Sequence, residues 1–162
     1  MGFCMTKKPE DTEYITSAKL QKFIKDAIKE EGFTQKEFAD AVGISTTIVN
    51  RTLLYKSVPS IKTLIKLADY FQVPILYMFG EVEDSYFTPA KEPSTFLKRL
   101  EELTNEKGEK YSALSHTMTF SSNAVYEWIR NNSIPSLDYL KQLAKHFDVS
   151  VDYLLGRTDE RK

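Results

Sequence analysis

The residue types that catalysis or metal binding requires are scarce in this chain of 162 residues. His116 and His146 are its two histidines and fall in different predicted helices, and Cys4 is its single cysteine. This set argues against a dedicated zinc site, and no nucleophile–base pair or glycine-rich phosphate loop accompanies it. The serines and threonines around 112–122 are interpreted as helix caps and a polar helix face. We therefore expect no enzyme, no metal and no cofactor.

Composition places the chain among soluble globular proteins. Hydrophobic residues make up 41% of the sequence and charged residues 28%, with a net charge of −1, so the chain falls outside the disordered class. No apolar run approaches the roughly 18 residues that a membrane span needs. A single cysteine forms no internal disulfide, so an oxidising compartment is not required. The sequence predicts a cytoplasmic protein with no membrane association.

The elements that would position any functional side chain occur twice. Shifting the sequence by 76 positions aligns residues 20–80 with residues 96–156 without a gap. Identical pairs include Pro59-Ser60 with Pro135-Ser136, Leu67-Ala68 with Leu143-Ala144, and Gly80 with Gly156. The predicted organisation is a flexible N-terminal arm (1–18), a first domain (19–80), an acidic linker with two prolines (81–93), a second domain (94–158) and a tail (159–162).

Each repeat is predicted to contain five short helices, because apolar residues recur at helical spacing between capping and turn residues. The markers in the first repeat are Gly32, Thr34 with Glu37 as a capping box, Gly43 as a left-handed turn, Ser45, Ser60 and Pro74. No segment alternates with period two, so no sheet is expected. The fold class is all-α.

A three- to four-residue turn between the second and third helices is a helix-turn-helix signature. The run Phe38-Ala39-Asp40-Ala41-Val42-Gly43-Ile44-Ser45, with Leu67-Ala68-Asp69-Tyr70-Phe71 further on, resembles the Cro/lambda-repressor (Xre-type) family. The second repeat resembles it in Ile134-Pro135-Ser136-Leu137 and in Val149-Ser150-Val151-Asp152-Tyr153-Leu154-Leu155-Gly156. The resemblance implies two five-helix lambda-repressor-like domains in tandem. It also implies binding of double-stranded DNA, with the third helix in the major groove.

The resemblance assigns roles to polar residues of the first repeat. Thr46, Thr47 and Arg51 would face the bases, where Arg51 can pair with guanine and a threonine methyl can pack on a thymine methyl. Residues that would hold phosphates without reading the sequence are Gln35, Ser45, Asn50 and Lys56.

The matching positions of the second repeat leave two interpretations open. They are Ser121, Ser122, Asn123 and Glu127. Asn123 could read adenine and Glu127 could accept from cytosine, but Glu127 brings negative charge where the first repeat has Arg51. Thr119 replaces the turn glycine, and a β-branched residue is disfavoured at positive φ, so a distorted turn is predicted. The second repeat is either a DNA reader or a surface for a homodimer or protein partner, with Trp128 anchoring its core.

The two repeats also differ in their net charge. Residues 19–80 hold nine basic and six acidic side chains, whereas residues 94–158 hold eight of each. Because phosphate neutralisation supplies most non-specific affinity, the first repeat is expected to be the primary reader. The predicted function is sequence-specific DNA binding by a bacterial or phage transcriptional regulator, without a small-molecule substrate or a separate effector domain. The alternative is an antitoxin-like or anti-repressor-like interaction module that keeps the fold without reading DNA.

Overall fold

The computed structural model describes residues 10–55 and 58–162, and regular secondary structure within them is entirely α-helical. The expected all-α class is confirmed for this part of the chain. The chain divides into two compact units, one ending at Tyr86 and the other beginning at Phe87. Unit one contains α1 (Glu10–Glu31), α2 (Gln35–Val42), α3 (Thr46–Tyr55), α4 (Ile61–Phe71) and α5 (Ile75–Met78). Unit two contains α6 (Phe96–Lys107), α7 (Tyr111–Leu114), α8 (Ser122–Asn131), α9 (Leu137–Phe147) and α10 (Val151–Leu154).

Unit one is held together by a shared apolar core. Helix α1 packs on α3 and α5, and α2 packs on α3 and α4. The side chains that fill the space between these helices are almost fully buried, among them Leu20, Ile24, Phe38, Leu64, Leu67, Ile75 and Met78. Phe23 adds an edge-on contact with Phe71 across the core rim, with ring centres 4.9 Å apart. The packing fixes α3 on one side only, which leaves its other face available.

Helix α1 is longer than its repeat-based prediction. It begins at Glu10, inside the segment predicted as an N-terminal arm, and ends before Gly32, whose φ is 67°. The sequence contains neither proline nor glycine between Glu10 and Glu31, so nothing local interrupts the helix. Residues 1–9 of the predicted arm lie outside the described residues.

Unit two is built around the only tryptophan of the chain. Trp128 is 8% exposed, and its ring lies edge-on to Phe120, with centres 5.0 Å apart, and to Phe96 at 6.1 Å. Tyr139 completes this aromatic cluster. The prediction that Trp128 anchors the core is confirmed.

The segment predicted as the linker, residues 81–93, is divided between the units. From Phe87 onward it packs on unit two, where the Arg157 guanidinium lies 4.3 Å from the centre of the Phe87 ring. The backbone N–H of Ala90 also donates to the Arg157 carbonyl at 2.8 Å. The segment was predicted to be a linker because it is acidic and lacks periodicity. Its second part is nevertheless packed, because it contacts residues that are far away in the sequence.

The tail predicted over residues 159–162 is likewise part of unit two. Asp159 accepts a hydrogen bond from the Arg99 guanidinium at 3.2 Å. Arg161 donates to Glu106 at 2.7 Å, and this contact lowers the pKa of Glu106. The Arg161–Glu106 pair is exposed, so it fixes the path of the chain more than it stabilises the fold.

Candidate nucleic-acid interface

The turn between α2 and α3 is the first part of the candidate interface. Gly43 adopts φ 81°, and the N–H groups of Gly43 and Ile44 both donate to the Ala39 carbonyl, at 2.9 and 3.0 Å. The predicted left-handed turn at Gly43 is therefore confirmed. Ala39 is fully buried, and its small side chain lets the two helices approach each other.

Both helices begin with the predicted caps. At α2, the Thr34 hydroxyl accepts from the Glu37 N–H at 3.2 Å and the Thr34 N–H donates to the Glu37 carboxylate at 2.7 Å. This reciprocal bond lowers the pKa of Glu37, so the carboxylate stays charged within the cap. At α3, the Ser45 hydroxyl accepts from the Ile48 N–H at 3.2 Å. The caps satisfy N–H groups that a helix start otherwise leaves unpaired.

The buried face of α3 is held by α1. Val49 and Thr52 are 2% and 3% exposed. The side-chain amide of Gln21, itself buried, donates to the carbonyl oxygens of Thr52 at 2.8 Å and Leu53 at 3.2 Å. These two carbonyls lie in the last turn of α3, where no intrahelical donor is left for them. Gln21 therefore fixes the C-terminal end of α3 relative to α1.

The opposite face of α3 carries the predicted base-facing residues. Thr47, Asn50 and Arg51 are exposed and lie on neighbouring turns, while Thr46 is half-buried. The Arg51 guanidinium has no ion-pair partner among the described residues. Thr47, Asn50, Arg51 and Leu54 together form this surface, the α3 face.

The remaining predicted contacts of the first repeat flank the α3 face or fall outside the structure. Gln35 is exposed at the start of α2, and Ser45 is exposed at the cap of α3. Lys56 lies outside the described residues.

Three residues that matter to this surface were missed from the sequence. Leu54, at the end of α3, is 70% exposed. Gln21 holds α3 from behind, and the Lys66 ammonium on α4 donates to the Gly43 carbonyl at 3.0 Å. A signal for Gln21 exists, because it interrupts an apolar helix stripe as a polar residue beside Leu20. Its partner, however, is a backbone group 31 positions away, which no local pattern reveals.

The corresponding turn in unit two is different, as predicted for a repeat without the turn glycine. Helix α7 is a single turn that ends at Leu114, whereas α2 has 8 residues. Thr119 is not among the residues at positive φ. Its N–H donates to the Gln142 side chain at 2.9 Å, and its hydroxyl accepts from the same amide at 2.8 Å. A side chain on α9 thus supports a turn that the backbone alone does not form.

The exposed face of α8 also differs in chemistry from the α3 face. The predicted residues Ser121, Ser122, Asn123 and Glu127 are all exposed. They share the surface with Tyr126, which is 52% exposed and lies edge-on to Tyr111 with ring centres 6.4 Å apart. In the alignment of the two repeats, Tyr126 matches Asn50 and Glu127 matches Arg51. The α8 face therefore has an aromatic and an acidic residue at the positions where the α3 face has an amide and a basic residue.

Within residues 10–55 and 58–162, no cluster of three or more histidine, cysteine, aspartate or glutamate side chains is placed to hold a metal ion. No helix in these same ranges is long and apolar enough to cross a membrane.

Helix α2, the glycine turn and the capped helix α3, with one face buried and one exposed, form a helix-turn-helix. In agreement, residues 24–78 match a family model described as helix-turn-helix. The match supports an Xre-type helix-turn-helix of the kind found in DNA-binding regulators. It lies within unit one. No curated protein and no solved structure matches the chain.

Proposed function

We propose that this chain is a sequence-specific double-stranded DNA-binding transcriptional regulator of bacterial or phage origin, acting in the cytoplasm. In this proposal the α3 face enters the major groove, Arg51 pairs with a guanine, and Thr46 and Thr47 contact neighbouring bases. Gln35, Ser45, Asn50 and Lys56 hold the flanking phosphates.

The observation that carries the proposal is the state of Arg51. It is exposed on α3 and has no ion-pair partner among the described residues. It stands one helical turn after Thr47 on the same face. A guanidinium held in the groove can present two parallel donors to the O6 and N7 atoms of guanine. Because Gln21 holds α3 against α1, the Arg51 guanidinium projects from a helix whose position is fixed.

The test is selection from a randomised duplex pool by the full chain at low and physiological salt. Enrichment of a motif that contains a guanine supports the proposal. Arg51→Ala should then cost about 1–3 kcal/mol on the selected site and relax the preference at one base pair. Lys25→Ala is the matched control, because it removes one positive charge from the exposed side of α1 and should leave sequence preference unchanged. An unchanged motif in Arg51→Ala would remove Arg51 from the reading residues.

For unit two we propose a second helix-turn-helix domain in tandem that adds little to DNA affinity. The acidic Glu127 at the position of Arg51 supports this, because a carboxylate is repelled by phosphates. Glu127→Ala should leave binding intact or strengthen it, as measured by titration of the selected duplex. A large loss of specificity would instead make Asn123 and Glu127 readers.

A protein or homodimer contact through unit two is the second candidate. The exposed Tyr126 beside Tyr111 favours it, because tyrosine is enriched at protein interfaces. Sedimentation across a range of protein concentrations, with Tyr126→Ser as the comparison, tests it. A sedimentation mass that rises with concentration in the unsubstituted chain, but not in Tyr126→Ser, would support the contact.

A further inference from the structure

Leu54 ends the polar stripe of α3 with an apolar side chain that is 70% exposed. It follows Thr47 by seven positions and Arg51 by three, so all three side chains lie on one face of the helix. At a rise of 1.5 Å per residue, Leu54 stands about 4.5 Å along the helix axis from Arg51.

The fold does not require a leucine here. Under the repeat, the residue of unit two that matches Leu54 is Arg130, which is exposed at the same place on α8. The core contacts of α3 are made by its other face, through Val49 and Thr52. Leu54 is therefore free to serve the surface that Thr47 and Arg51 share.

We propose that Leu54 is a specificity-determining residue that packs against the C5-methyl group of a pyrimidine in the major groove. This inference rests on the proposed function of the α3 face. Base pairs are spaced by about 3.4 Å, so the methyl group belongs to a pyrimidine one to three base pairs from the guanine that Arg51 reads. Thymine is the natural base that presents a methyl group in this groove.

The chemistry of the contact gives it a signature. Leucine has no hydrogen-bonding group, so it responds to the methyl group and not to the polar edge of the base. Deoxyuridine in place of thymine should weaken binding at that position by about fourfold, the effect expected for burying one methyl group. At the same position, 5-methylcytosine should bind better than cytosine by a similar factor.

The experiment replaces each thymine of the selected duplex by deoxyuridine in turn and measures affinity for the full chain and for Leu54→Ala. Alanine is the stronger helix former, so α3 should remain intact. The expected result is one thymine whose replacement weakens the unsubstituted chain but not Leu54→Ala. Thr47→Ser is the matched control, since it removes the other side-chain methyl on this face. It should leave that thymine sensitive.

Two results would overturn the inference while leaving the proposed function standing. One is a deoxyuridine penalty that persists in full in Leu54→Ala, and the other is no penalty at any position although Arg51→Ala still relaxes a guanine preference. If the full chain enriches no sequence at all, the proposed function fails and the role of Leu54 fails with it.

Discussion

The ammonium group of Lys66 on α4 donates a hydrogen bond to the carbonyl oxygen of Gly43, at 3.0 Å, in the turn between α2 and α3. The matching residue of unit two, Gln142 on α9, bonds both the N–H and the hydroxyl of Thr119. The turn between α2 and α3 is thus tied to α4 by a charged donor, and the corresponding turn of unit two is tied to α9 by an amide.

Replacing Lys66 by methionine should loosen this tie. The substitution keeps the apolar stem and removes the donor, so we expect a loss of at most about 1 kcal/mol in the stability of unit one, because the bond is exposed. Thermal unfolding followed by far-ultraviolet circular dichroism measures it. Lys62→Met, one turn earlier on α4, is the control and should not shift the transition. Equal shifts in the two variants would mean that the bond to Gly43 adds nothing.

Gln21 should be a positioning residue for α3. Gln21→Leu leaves the carbonyls of Thr52 and Leu53 without their donor, with an expected cost of about 1–3 kcal/mol. Gln21→Glu should cost more, because a buried carboxylate would face two carbonyl oxygens.

Because Trp128 lies in unit two, the effects of these Gln21 variants on the two units can be measured separately. As the only tryptophan, Trp128 reports on unit two. Its fluorescence transition should not move in either variant, while circular dichroism records the loss in unit one. Retention of full stability in Gln21→Leu would contradict the role assigned to the amide.

The two glycines that end the repeats should differ in their tolerance of alanine. Gly80 and Gly156 both have positive φ, at 66° and 73°, which costs a residue with a side chain about 1–2 kcal/mol. A Cβ at Gly156 would also overlap the backbone carbonyl of Ser94, whereas at Gly80 it would meet only the flexible end of Lys19. Gly156→Ala should therefore lower the free energy of unfolding by at least about 1 kcal/mol more than Gly80→Ala does. Trp128 fluorescence measures the loss in unit two, and circular dichroism measures the loss in unit one. Equal losses would mean that Ser94 can move away.

Unit two should carry an acid-sensitive contact between Glu109 and His146. Their side chains are 2.6 Å apart, and this hydrogen bond lowers the pKa of Glu109. A carboxyl whose pKa is lower in the folded state stabilises the fold above its unfolded pKa of about 4.3. That stabilisation is lost as the pH falls through the lowered folded value.

The comparison that tests this contact is Glu109→Gln against the unsubstituted chain, by Trp128 fluorescence in denaturant. The stability difference should be fully present above about pH 5 and shrink as the pH falls below about 4. A difference that stays constant over this range would show that the ionised carboxylate is not the stabilising group. The change is expected in unit two alone, because both residues belong to it.

Local features of the fold followed from the sequence with few errors. Thr34 and Glu37, Gly43, Ser45 and Ser60 act at the predicted boundaries, because each depends only on neighbours within about four positions. The resemblance to the Xre-type family implied that Thr47 and Arg51 face outward, and both side chains are exposed. The roles of these two residues on DNA remain predictions.

The structure differs from the sequence-based prediction where a segment without regular secondary structure contacts residues that are far away in the sequence. Residues 88–93 of the predicted linker lack any periodicity that marks them as packed, yet the N–H of Ala90 donates to the Arg157 carbonyl. The start of α1 was also misplaced, because the repeat gives no counterpart to the helix before residue 20.

The sequence by itself determined the all-helical class, the repeat and the caps, since periodicity and capping are encoded over a few positions. Only the tertiary structure decided how α3 is braced. The contacts of Gln21 with the end of α3 and of Lys66 with the Gly43 carbonyl join residues 31 and 23 positions apart. Their acceptors are backbone groups, which every residue type presents alike, so no side-chain pattern in the sequence distinguishes the ones that are used.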